Sequence, residues 1–344
     1  MPFSNVYESV VTAALSASLV SLILLDARSI QQIVDKLRLF TMGLLFMLFG
    51  RDKRWKRRPP DSATVSALSG RRVRRIYLVR HGESEWNLIF NKGSKLLLPF
   101  KAIAALVREI LLFVHLDPDS ILYDSPLNQQ GLEQAQEIAA WLRENPDSLP
   151  EPSLVVSSNL RRALQTVVIA LQDRFVIQDN DAPKQQKRVH VLSSLQEVST
   201  NVDTVSLLAP HATPTLPRVP ELLQAPARFE VSRNYGNKSL RGTGRDRIIA
   251  FCDYAFESAH DSIIVGCHSL WARFFFRELL PSDVNSVAKD SKIANGGIVS
   301  CDLISGNVNN ITVYAIDPDS VQVVYKGFDS KVKLPISQQK PKAA

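Results

Sequence analysis

Tyr77-Leu78-Val79-Arg80-His81-Gly82-Glu83-Ser84-Glu85-Trp86-Asn87 is the stretch on which the fold of this 344-residue chain turns. It closes a short β-rich run, Val73–Val79, and leaves it through a glycine, which lets the backbone turn sharply and approach a ligand closely. In an open α/β sheet, ligands bind beyond the carboxyl ends of the strands, which is where Arg80 and His81 fall. A guanidinium beside an imidazole at such an end suits an anionic group such as phosphoryl. Working outward, further strand-like runs are Leu154–Ser157, Val189–Leu192, Ser262–Cys267, Ile298–Leu303, Ile311–Ile316 and Val321–Tyr325. Helical periodicity fills Asn128–Arg143, Leu160–Asp173, Arg245–Ala259 and Ser269–Leu280. Strands alternating with helices predict an α/β fold, a three-layer α/β/α sandwich around a mostly parallel central sheet.

Two stretches interrupt that rhythm and read as insertions, about 88–123 and 202–244. The first places Phe100, Ile103, Val107, Ile110 and Val114 on one helical face, either packed on the core or serving as a lid or membrane-resting helix. The second carries five prolines, from Pro210 to Pro226, and reads as a long loop of functional interest.

Composition narrows the class. Hydrophobic residues are 45% and charged residues 22%, ordinary globular usage that excludes a disordered, collagen-like or polytopic membrane chain. The net charge of +7 is local: residues 51–75 hold ten basic residues against Asp52 and Asp61, so the rest of the chain is nearly neutral. No nucleic-acid partner is therefore expected. Cys252, Cys267 and Cys301 form no C-x-x-C pair, which argues against a disulfide scaffold and a zinc site and fits a reducing compartment. No metal or cofactor is expected.

The N-terminal 50 residues form a separate apolar segment. Ser9 to Leu25 are 17 uncharged residues, about 25 Å as a helix and marginal for a ~30 Å hydrocarbon core. The second uncharged run, Leu39 to Gly50, has only 12 residues, which suits an interfacial, re-entrant or buried helix. Arg51-Asp52-Lys53-Arg54-Trp55-Lys56-Arg57-Arg58 follows, in the manner of a cytoplasmic flank. The expected organisation is a membrane anchor over residues 1–50, a basic linker over 51–70, a catalytic domain over 71–330 and a disordered tail over 331–344. The protein is expected to be membrane-associated through its N-terminal segment, with the catalytic domain in the cytosol.

The motifs taken together carry a resemblance. Tyr77–Asn87 resembles the opening motif of the histidine phosphatase superfamily, the phosphoglycerate-mutase-like enzymes, and four further pieces follow in that family's order. Asp124-Ser125-Pro126-Leu127 with Gly131, Gln134 and Ala135 resembles the lead into its first long helix. Ser158–Thr166 resembles the strand-to-helix element whose arginine contacts phosphate, and alignment on Ala163 and Thr166 selects Arg162 rather than Arg161. Glu197 takes the position of the family's acid, and Ile263–His268 that of the strand delivering its second histidine.

The resemblance implies His81 as nucleophile, Glu197 as proton donor, and Arg80, Asn87, Arg162 and His268 as the phosphate cradle. These residue types make sense in themselves. A phosphoryl group in transfer spreads charge over three oxygens that positioned donors stabilise, here two arginines, a protonated His268 and a neutral Asn87. A neutral imidazole can attack phosphorus, and a carboxyl can protonate the leaving alkoxide. The expected activity is hydrolysis of a phosphomonoester, carried by a small molecule or a phosphoprotein, through a phosphohistidine. The alternatives are a phosphomutase of the phosphoglycerate mutase type and a catalytically idle binding module. Two departures disfavour the mutase: Glu197 is followed by Val198-Ser199-Thr200-Asn201 where mutases have an Arg-His-Tyr-Gly-like run, and His268 by Ser269-Leu270-Trp271 where they have Gly-Asn.

Overall fold

The computed structural model describes residues 27–92, 94–115, 117, 119–175 and 188–329. The Ser9–Leu25 run and the 331–344 tail lie outside the described residues. The sheet has eight strands: β1 Ser69–Arg80, β2 Leu154–Ser158, β3 Val189–Leu192, β4 Phe229–Glu230, β5 Ser262–Cys267, β6 Ile298–Val308, β7 Ile311–Ile316 and β8 Gln322–Tyr325. Their order is β4-β3-β2-β5-β1-β6-β7, with β8 also on β6. From β4 to β1 every pairing is parallel, and the three pairings of β6 with β1, β7 and β8 are antiparallel. The expected strands are all present within a few residues of their expected ends, and the long loop adds only β4 at the sheet edge.

The principal helices are α1 Ala27–Phe49, α2 Leu98–Val114, α3 Gln129–Glu144, α4 Arg161–Ala170, α5 Gly244–Glu257 and α6 Ser269–Leu279. Strand alternation assigns the two faces. Ile76 and Leu78 of β1 join Val156, Ile263 and Val265 in a core closed by Ile248 and Phe251 of α5 and Trp271 and Phe275 of α6. Val79, Val155 and Ile264 point the other way, against Ala135 and Ile138 of α3 and Val167 and Val168 of α4. Helices thus cover both faces of the sheet, which is the expected sandwich.

The α1 helix buries Phe46 beside Tyr123 and Val205. No helix among the described residues is long and apolar enough to cross a membrane.

The 51–70 stretch departs from the linker expected of it. Asp52 is buried, ion-paired to Lys238 at 2.9 Å and Arg247 at 2.6 Å, and accepts from the Ser199 amide at 2.9 Å. Trp55 packs on Phe274 and donates from Nε1 to Glu278 at 3.1 Å. Packing on the helices and loops of the catalytic domain therefore begins well before Arg71. Two side chains, an acid among bases and a tryptophan among charges, dock a segment whose composition reads as solvated.

Candidate active site

The two histidines meet because of strand register. Arg80 of β1 pairs with Cys267 of the parallel neighbour β5, so His81 and His268 leave adjacent strand ends side by side. The His81 amide donates to the Cys267 carbonyl at 3.1 Å, and the ring centroids lie 5.1 Å apart. Gly82 then turns the chain against the first turn of α3. A Cβ on Gly82 would stand 2.5 Å from the Gly131 carbonyl oxygen, and one on Gly131 would meet the Glu83 carbonyl. Only two glycines permit that approach of backbone to backbone. Thr166 on α4 fixes the loop by accepting from the Gly82 amide at 3.0 Å, and Asn128 caps α3 through the Gly131 amide at 2.8 Å.

Arg80, His81, Asn87, Arg162 and Glu197 line one open cavity of about 550 Å³. His268 lies behind them, fully buried, with neither ring nitrogen partnered among the described residues. His81 Nδ1 lies 2.6 Å from the Gly82 carbonyl oxygen, which can only accept, so Nδ1 carries the proton and Nε2 holds the lone pair. Burial, with the Arg162 and Arg80 charges added, holds the His81 pKa well below the usual imidazole range and keeps the ring neutral.

The same causes act on His268, where burial leads and Arg162, His81, Lys238 and Arg80 add to it. Those surroundings favour the neutral ring, whereas the sequence predicts a protonated His268 facing the phosphoryl group in transfer.

The two arginines at the start of α4 point different ways. Arg161 is tied into the scaffold by the Asp119 carboxylate and by the Asp124 and Ser120 carbonyls, at 3.0 and 2.8 Å for the latter two. Arg162 points into the cavity and meets Asp203, donating to its carbonyl at 2.8 Å and lying 3.3 Å from its carboxylate. Arg80 faces Asp329 at 3.6 Å, and its buried Nε has no partner among the described residues.

Glu197 reaches the cavity from the loop after β3. Its carboxylate takes the Trp271 amide at 2.7 Å, the Val198 amide at 2.9 Å and the Leu270 amide at 3.3 Å, so it sits at the N-terminus of α6. Ser84 of the same motif as His81 is buried and accepts from the Asn87 amide at 3.3 Å.

Sequence reasoning missed Asp203. It sits in the 202–244 insertion, faces the cavity, and has a carboxylate Oδ1 without a partner among the described residues. Burial pushes its pKa up to about 6 against the opposing pull of Arg162. It has no motif around it, and its one signal was membership of a long loop. Lys292 and Asn295 at the cavity rim were missed for the same reason.

A family model described as the histidine phosphatase superfamily (branch 1) matches residues 120–313, more than half of the chain. The chain belongs to the histidine phosphatase superfamily. That range contains Arg162, Glu197 and His268, and register adds Arg80 and His81 to them. A phosphatase or mutase type of activity follows from this membership in general terms.

Among curated proteins no relative matches. Solved structures similar to this chain include mycobacterial glucosyl-3-phosphoglycerate phosphatase (15% identity, 71% of this chain and 98% of that one, TM-score 0.36). Others are phosphoserine phosphatase from Entamoeba histolytica (16%, 66% and 89%, TM-score 0.34) and mycobacterial hydrolase 2 (17%, 73% and 93%, TM-score 0.37). These are distant likenesses, and the assignment rests on the family model.

Proposed function

We propose that this protein is a phosphomonoester hydrolase that works through a phosphohistidine on His81. The observation that carries the reading is the His81 ring itself: neutral, protonated at Nδ1, and facing a cavity lined by Arg80 and Arg162. In this mechanism Nε2 attacks phosphorus, the P–O bond to the leaving group breaks, and a carboxyl proton passes to the departing alkoxide. Water then attacks the phosphohistidine, the same carboxylate takes its proton, and inorganic phosphate leaves while Nε2 recovers its lone pair. Arg80, Arg162, Asn87 and the neutral N–H of His268 supply the donors for the three phosphoryl oxygens.

Glu197 is the proton donor that the resemblance implies. A specific observation favours a second reading, in which Asp203 shares or takes that duty. Burial pushes its pKa up to about 6 and its buried Oδ1 has no partner among the described residues, whereas the Glu197 oxygens are occupied by three backbone amides. Protonating Asp203 would also loosen its pairing with Arg162 and release that guanidinium to phosphate.

Hydrolysis is favoured over mutase chemistry because Ser199, Asn201 and Thr204, all neutral, line the cavity wall after Glu197, where a mutase needs cations to retain its intermediate. The test is to supply 3-phosphoglycerate with a trace of 2,3-bisphosphoglycerate and to follow products, alongside a range of monoesters. Phosphate release with an acid-labile phosphoenzyme that vanishes in His81→Ala is expected. Rapid 2-phosphoglycerate formation with little free phosphate would establish the mutase instead, and no turnover of any monoester would leave the idle binding module.

A further inference from the structure

We propose that α1 and α2 form a two-helix platform that docks on the surface of an anionic lipid bilayer, lying in the interface without crossing it. On α1, Ile30, Val34, Leu37, Leu44 and Leu48 recur at helical spacing and are each about half exposed, between 47 and 60%. The opposite face of the helix carries the buried Phe46, and Lys36 donates to the Asp119 carbonyl at 3.0 Å. On α2, Phe100, Ile103, Val107, Ile110 and Val114 are between 50 and 71% exposed, while Ala105 and Glu109 turn inward. The helices touch through Phe40 and Phe113, with ring centroids 6.2 Å apart. Each helix buries its inner face on the domain and turns an apolar stripe outward, and exposed apolar stripes of this kind mark an interaction site.

Charge identifies the occupant. The chain leaves α1 into Arg51–Arg58, where Arg51, Lys53, Arg54, Lys56, Arg57 and Arg58 are exposed. The one acid in that stretch, Asp52, is turned inward to Lys238 and Arg247, so the exposed charge is cationic alone. An apolar helix face continued along the chain by a row of exposed cations fits acyl chains beneath anionic headgroups. A second copy docked on the same face about a two-fold axis would bring two such cationic rows together.

The experiment is sedimentation of the full chain with phosphatidylcholine vesicles, with and without phosphatidylserine, at low and high salt. Phosphatidylserine is expected to tighten binding by about tenfold or more, in a salt-sensitive way. The triple variant Ile103→Glu, Val107→Glu, Ile110→Glu and, separately, Arg54→Glu, Lys56→Glu, Arg57→Glu should each weaken binding at least about tenfold with unchanged circular dichroism. The second variant lies on an exposed stretch and keeps the test decisive if the first misfolds. Equal binding to both vesicle types overturns the proposal, as does full binding by the helix variant, which would assign attachment to residues 1–26. Light scattering that shows a dimer converted to monomer by the helix variant would make the face a self-interface and overturn it too. The readout requires no turnover, so it stands or falls apart from the phosphatase reading.

Discussion

His81 and Asp203 are shifted in opposite directions by one cause. Burial disfavours charge, which lowers the imidazole and raises the carboxyl, leaving a nucleophile and an acid both neutral near pH 6. Arg80, His81 and Arg162 were legible because their motifs are tied to strand ends. Asp203 was not, since its role depends on a loop that returns across the sheet and on the desolvation found there. This difference yields a pH prediction. If Asp203 donates the proton, it must be protonated, so turnover of an alkyl phosphate falls as pH rises through about 6. Asp203→Asn should then remove that limb and cost about 10²- to 10⁴-fold in kcat for alkyl esters, and much less for 4-nitrophenyl phosphate, whose leaving group needs no proton. Glu197→Gln should preserve the limb. The opposite pattern in the two pH profiles assigns the donor to Glu197.

At the scale of elements, the site depends on one strand pair and one loop-to-helix contact. Short β-rich runs located β1 and β5 in the sequence, but such runs do not say which strands are neighbours, and it was their pairing that set His81 against His268. The helices were legible in the same way, from period, while the partners of α1 and α2 were not, because an apolar stripe reads alike whether it is covered or exposed. The loop-to-helix contact makes a sharp prediction. Gly82→Ala would press a methyl to 2.5 Å from the Gly131 carbonyl oxygen, backbone against backbone, with no flexible side chain to yield. The loop must shift, at a cost of about 1–3 kcal/mol in stability, and His81 shifts with it. A displacement near 1 Å at the nucleophile costs about 10²-fold in rate. Thermal unfolding together with kcat should therefore show a modest loss of stability and a large loss of turnover; a large stability loss with normal kcat in the folded fraction would mean that the glycine serves packing only.

For the whole molecule, the question is where the catalytic unit begins. Composition put the start at Arg71, yet Asp52 neutralises two bases that position the acid loop. Lys238, nearly fully buried, donates to Asp52 at 2.9 Å, to the Glu197 carbonyl at 2.8 Å and to Thr204 Oγ1 at 3.1 Å, beside Asp203. Burial lowers its pKa to about 8 even with Asp52 opposing the shift. Burial also pushes the Asp52 carboxyl upward, but Lys238 and Arg247 outweigh it and hold the carboxyl below its usual range. Its folded-state pKa is thus depressed, so its contribution is present above the ordinary aspartate range and is lost as pH falls through the lower folded value. Deleting one member of a buried pair costs about 3–5 kcal/mol, because the cation left behind is unpaired. At roughly 2–4 °C per kcal/mol for a large domain, that is a fall in Tm of about 10 °C. We therefore expect a fragment starting at residue 71 to melt well below one starting at residue 50. It should also lose kcat more than it gains KM, since Lys238 holds the loop that carries Glu197 and Asp203 rather than touching substrate. Asp52→Asn in the full chain should reproduce most of both effects while leaving Trp55 on Phe274. Equal Tm and kcat for the two fragments would return the boundary to Arg71 and reduce the Asp52 cluster to a surface tether.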